Sequence, residues 1–262
     1  MASNDYLAIK NHHLRDEGIE FEEESHKYTI LCDTETKYTS VTTYVHEQFE
    51  KFDADLIIGK MMSSPYWTKN KYYGKTPYEI KALWEDNRDT AAQAGTKIHY
   101  DIECYYNQMT VDNDSVEYTY FKNFVENTTH LEAYRTEWTV YDTELKLAGS
   151  IDMVFYNKND QKYYIYDWKR CKEIKKSNGY NKYSINPVLS DLPDSNYWHY
   201  TLQLNIYKAL LERNYNIKIA GCSLVCLHPN NKNKTYQILK VPMLDDVIQK
   251  LFVILREKAR GS

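Results

Sequence analysis

GSIDMVFYNKNDQKYYIYDWK, residues 149–169, is the stretch that decides how the chain folds. Apolar and aromatic residues load both arms, and Asn157, Lys158, Asn159, Asp160 and Gln161 form a polar bend, which is the pattern of a β-hairpin. Placing Asp152 opposite Asp167 also puts Asn157 opposite Lys162 and leaves residues 158–161 as a four-residue loop, a common hairpin length. Strand side chains alternate, so Asp167 and Lys169 share a face and Trp168 takes the other. Carboxylates set directly across a strand pair repel, and a cation between them relieves the repulsion. Neutral amides at Asp152 or Asp167 are therefore expected to leave the fold intact or to stabilise it. The pattern D…DxK fits a divalent-metal site with an ammonium beside it, suited to phosphodiester cleavage. Solvated Asp and Lys on an exposed strand face are the ordinary alternative, and the hairpin alone leaves both open.

Outward from the hairpin, 262 residues suffice for one large domain or two small ones with a sizeable core. The formal net charge of −4 gives no overall basic footprint, so contact with nucleic acid has to come from local patches. Cys32, Cys104, Cys171, Cys222 and Cys226 form neither a CxxC pair nor an even disulfide ladder, which fits a reducing, intracellular compartment such as the cytoplasm or nucleus, in a cell or a virus-infected host. No apolar run nears the ~20 residues that span a bilayer, and the opening MASNDYLAIKNHHLRDEGIEFEEE is too polar and acidic for a signal or transit peptide. No membrane partner is expected, and the chain reads as a monomer. The closing Gly261-Ser262 reads as an added tail that leaves the natural terminus open.

Residues 19–31 alternate loosely as a short N-terminal hairpin, Ser40 offers an N-cap to VTTYVHEQF, and a second helical piece covers residues 53–62. SSPYWTKNKYYG, residues 63–74, is an aromatic and lysine-bearing loop in which Tyr72 and Tyr73 could stack bases; an ordinary exposed loop is its alternative. Thr76-Pro77 starts a long helix that reaches about residue 107, and His99 and Glu103 share one face of it, four residues apart. A helical histidine on its own is usually structural. Asp114 caps a further helix, residues 131–141 form a strand, and after Lys169 comes a long segment without periodicity, residues 170–196. There Arg170, Lys172, Lys175 and Lys176 are candidate phosphate contacts. Residues 197–212 form an amphipathic helix with Leu202, Ile206, Ala209 and Leu210 on its apolar side and Gln203 and Tyr207 one turn apart. Two strands, at 217–227 and 235–241, and a helix over 247–256 close the chain.

Taken together, SVT at Ser40 to Thr42, GTxxHxxxE at Gly95 to Glu103, GSID at Gly149 to Asp152, DWK at Asp167 to Lys169 and QLxxY at Gln203 to Tyr207 resemble the RecB-like branch of the PD-(D/E)XK nuclease superfamily. The resemblance implies an α/β fold with a restriction-endonuclease-like core, a mixed central sheet flanked by helices, in one nuclease domain: a helical elaboration over residues 1–94 and the core over 95–262. It implies that His99, Asp152, Asp167 and the backbone carbonyl of Trp168 bind Mg²⁺ or Mn²⁺. It further implies that Lys169 orients or helps deprotonate the attacking water, that Gln203 and Tyr207 close the site, that Glu103 holds the motif helix, and that Ser40 and Thr42 touch nucleic acid. These roles suit a hard ion that prefers oxygen ligands and tolerates an imidazole. Relatives with an iron-sulfur cluster carry a C-terminal group of three cysteines; no third follows Cys222 and Cys226, so no cluster is expected. Arg170 stands where the family usually has Thr or Ser.

The layout is similar to stand-alone single-strand DNA exonucleases of the mitochondrial genome-maintenance and CRISPR-associated types. The expected activity is metal-dependent digestion of single-stranded DNA or flaps, alongside replication or repair proteins. An endonuclease of the same superfamily and a non-catalytic nucleic-acid-binding scaffold are the alternatives. Intact His99, Asp152, Asp167 and Lys169 speak against the scaffold.

Overall fold

The computed structural model describes residues 5–260, so the Gly261-Ser262 tail lies outside the described residues. The 149–169 hairpin is the centre of a six-stranded mixed sheet. Strand β5 (Leu147–Asn157) turns into β6 (Lys162–Lys169) in the expected register, with Asn157 across from Lys162 and Met153 across from Tyr166. Gln161 closes the four-residue loop with φ +58°, and Lys146, at φ +52°, does the same for the turn that leads into β5 from β4 (Leu131–Asp142). β4 and β6 are antiparallel to β5, while β7 (Ile219–Cys226) runs parallel to β6 and β8 (Gln237–Val241) is antiparallel to β7. A parallel neighbour demands a crossover, and here residues 170–218 supply it. A smaller hairpin, β1 (Ile19–Glu22) with β2 (Lys27–Ile30), packs Ile19, Tyr28 and Ile30 with Tyr141 and Ala148.

The chain forms two compact units, residues 1–50 with 98–262, and residues 51–97. Residues 1–50 fall in the larger unit, where Thr39 and Ser40 join the central sheet and β1 and β2 form a separate two-stranded one. Strand β3 (Thr39–Ser40) pairs in parallel with Leu147 and Ala148 of β5, and α2 (Val41–His46) buries Val41, Tyr44 and Val45 in the main core. Ser40 caps α2 as expected, its Oγ accepting from the Thr43 amide at 3.0 Å. In the smaller unit, α3 (Ala54–Met62) is capped by Asp53 and α4 (Pro77–Tyr106) begins; Lys81 pairs with Asp55 at 2.9 Å, and Trp84 Nε1 donates to Tyr72 Oη at 2.9 Å. With Lys71 Nζ 4.7 Å from its ring centroid, Tyr72 is engaged within its own unit, whereas Tyr73 is exposed.

In the larger unit one side of the sheet packs on α6 (Asn196–Asn214) and the other on the end of α4 and on α5 (Val116–Asn127). Ile98 and Ile102 of α4, and Phe121 and Phe124 of α5, meet Met153, Phe155 and Trp168 there. Ser115, not Asp114, caps α5, accepting from the Tyr118 amide at 3.2 Å. α6 is buried on more than one side because α7 (Asp245–Arg260) covers it: Asn205 accepts from the Leu244 amide at 2.7 Å and Lys208 pairs with Asp245 at 2.6 Å, so polar residues opposite the apolar stripe are buried as well. Among the described residues no helix is long and apolar enough to cross a membrane.

Candidate active site

Alternation along β6 sends Trp168 into the aromatic cluster of α5, 5.2 Å centroid to centroid from Phe124, and leaves Asp167 and Lys169 on the α6 side. The backbone of Trp168 serves the site that its side chain avoids. Its amide donates to Asp152 Oδ2 at 2.9 Å, and its carbonyl accepts from His99 Nε2 at 2.9 Å. The other imidazole nitrogen, Nδ1, lies 3.6 Å from Asp152 Oδ2 and 3.8 Å from Glu137 Oε1. Asp167 is 1% exposed; its Oδ2 sits 2.5 Å from Lys169 Nζ, a close buried ion pair. The ammonium is flanked by the ring of Tyr200, 4.7 Å from the centroid.

His99, Asp152, Asp167, Trp168 and Lys169 are thus brought together from α4, β5 and β6. Burial pushes the carboxyls of Asp152 and Asp167 upward, and repulsion from Asp152 helps take Asp167 to about 6 against the pull of Lys169. Burial opposes the charges on His99 and Lys169, but the neighbouring carboxylates outweigh it, lifting His99 to about 9 and holding Lys169 above its ordinary value. Two buried carboxylates are thereby balanced by two cations. Among the described residues His99, Glu137 and Asp152 bring an imidazole nitrogen and two carboxylate oxygens within 4.8 Å of one another, a donor set that fits Mg²⁺ or Mn²⁺ chemistry, while Asp167 lies outside that group with its Oδ2 held by Lys169.

Helix α6 closes the site where Tyr207 meets Gly149. A Cβ on Gly149 would stand 2.7 Å from Tyr207 Oη and 2.8 Å from its Cε1, so the motif glycine is required by packing. Tyr207 is buried, and the Gln203 side chain one turn earlier hydrogen-bonds its hydroxyl. Gly149→Ala is expected to destabilise by about 1–3 kcal/mol through overpacking, measured by urea unfolding, and an unchanged midpoint would contradict this contact.

Other expected site residues have local roles. Arg170 Nε is held by Glu117 Oε1 at 2.8 Å with both side chains mostly buried, because α5 presents a carboxylate where β6 ends. Arg170, a candidate phosphate contact, is thus engaged with Glu117. Lys172, Lys175 and Lys176 are exposed; Lys175 lies 3.2 Å from Glu173, and Lys176 lies over the Tyr197 ring. The 170–196 segment is stitched by asparagines and by Gln48, whose backbone carbonyl accepts from Ser184 Oγ at 2.6 Å and whose Oε1 accepts from Asn186 Nδ2 at 2.7 Å. Ser40 Oγ is occupied with Thr43, Thr42 is exposed, and Glu103 is half-buried on the His99 helix.

Glu137 is the residue that the sequence reading missed. It lies in an ordinary-looking strand, LEAYRTEWTVYD, and the only signal was register: Asp142 pairs with Leu147, which carries Glu137 across from Asp152. A scan against models of known protein families found no match to this chain, and a search of curated proteins found none either.

Proposed function

We propose that the chain is a metal-dependent nuclease with a PD-(D/E)XK core of the RecB-like kind, degrading single-stranded DNA from an end. One observation carries the reading: His99 and Asp152, from α4 and β5, both bond the backbone of Trp168, whose chain neighbours Asp167 and Lys169 form the adjoining ion pair. His99, Asp152 and Asp167 would hold the ion. Bound there, a divalent ion supplies a Lewis acid that lowers the pKa of water and offsets charge on the phosphate. The protein's own residues do the rest. The Trp168 amide and carbonyl fix the Asp152 carboxylate and the His99 ring, so neither has to reorganise during the reaction. Lys169 Nζ, 2.5 Å from Asp167 Oδ2, would place a positive charge where negative charge develops on the phosphate. The exposed Lys172, Lys175 and Lys176, on the segment that leaves Lys169, are suited to phosphates of a flexible strand.

The test is incubation of the whole chain with end-labelled linear single-stranded DNA, blunt duplex and a closed single-stranded circle, each with Mn²⁺, Mg²⁺ or EDTA. Linear single strands are expected to be degraded with either ion and spared in EDTA, with duplex poor and the circle intact. Equal rates on circle and linear strand would point to the endonuclease. No metal-dependent cleavage of any substrate would overturn the nuclease reading.

A further inference from the structure

Glu137 lies on β4 between Thr136, paired with Met153, and Trp138, paired with Ile151, and so stands across from Asp152. Its φ is +40°, in the left-handed region that non-glycine residues rarely enter and that strands avoid. Strain of that kind inside a twelve-residue strand persists only where the surroundings hold it. Here Ser150 Oγ donates to Glu137 Oε2 at 2.9 Å, and Oε1 is the oxygen near His99 Nδ1. The ligand atoms of His99, Glu137 and Asp152 all lie within 4.8 Å of one another. Adjacent ligands at about 2.1 Å from a common ion are about 3 Å apart, so a small inward movement of these side chains closes the shell. One further feature of the site points to a cation: His99 spends its Nε2 on the Trp168 carbonyl, the anchoring that orients metal-bound imidazoles, and so turns Nδ1 toward the two carboxylates.

We infer that Glu137 is a ligand of the divalent ion, joining His99 Nδ1 and Asp152, and that the Trp168 carbonyl orients the imidazole instead of binding the ion. The inference rests on the proposed function only in requiring an ion at this site. It changes the ligand set by adding a carboxylate that the nuclease motifs do not contain and by removing the backbone carbonyl from direct coordination. An extra anionic ligand raises affinity for the ion, and its position on β4 ties the third antiparallel strand to the metal.

Titration calorimetry with Mn²⁺ on the whole chain, independent of any cleavage, tests it. Wild type is expected to bind, Asp152→Asn to lose binding, and Glu137→Gln, which can still accept from Ser150, to bind at least tenfold more weakly. Glu137→Gly removes the ligand while suiting the left-handed backbone, so it keeps the fold if the glutamine variant does not. Circular dichroism and melting in EDTA establish which variants are folded. Wild-type affinity in a folded Glu137 variant overturns the inference, while loss in Asp152→Asn alone keeps the ion at the site. No Mn²⁺ binding by wild type, or none lost in Asp152→Asn, overturns the metal reading and this inference with it. Failure of both Glu137 variants to fold would make the residue structural and also overturns it.

Discussion

Lys169→Met is expected to cost the protein both turnover and stability. The ammonium lies 2.5 Å from Asp167 Oδ2, and only 16% of its side chain is exposed, so its removal strands a buried carboxylate. Breaking one partner out of a buried pair typically costs about 3–5 kcal/mol. In EDTA the variant should melt well below wild type; in Mn²⁺ it should recover part of the difference, because the ion supplies the positive charge that Asp167 has lost. Cleavage should stay depressed by roughly 100- to 1,000-fold even with metal saturating, the scale of a lost transition-state donor. A normal melting point in EDTA would mean the pair contributes nothing, and near-normal cleavage would remove Lys169 from the mechanism.

Asp152→Asn and Asp167→Asn are both expected to abolish cleavage, and they should separate in metal-free stability. The two carboxylates face different cations. Asp152 is next to His99, which can release its proton near neutral pH once the carboxylate is gone, so the amide leaves little uncompensated charge. Asp167 is next to Lys169, which cannot deprotonate cheaply, so the amide leaves a buried ammonium with a weaker partner. Asp152→Asn should therefore melt at or above wild type in EDTA and Asp167→Asn below it, with the metal-induced rise in melting temperature lost in both. Equal metal-induced rises in wild type and both variants would show that neither is a ligand.

What could be read from the residues follows the range of the interactions. The hairpin register was legible because a polar loop and two aspartates constrain it locally, and Asn157 does face Lys162. The long helix was legible from Thr76-Pro77, and it runs as a single thirty-residue element carrying His99. The place of the first fifty residues was not legible, since β3 is two residues long and its pairing with β5 is parallel and distant in sequence. Arg170 looked free because Glu117, its partner, lies on a helix 53 residues earlier. Glu137 was hidden for a different reason. A charged residue in an alternating strand is unremarked until its opposite number is known, and its unusual backbone has no signature in a Glu codon.

Trp168 has one more consequence, in spectroscopy. Its amide proton points at Asp152 while its indole is packed among the rings of α5, so one residue carries two reporters for two environments. In a nitrogen-15 spectrum the backbone signal should respond to whatever occupies the Asp152 carboxylate, and the indole signal should respond to the packing behind the sheet. Ligand occupancy and core rigidity can then be followed separately, on one residue, without any change to the sequence.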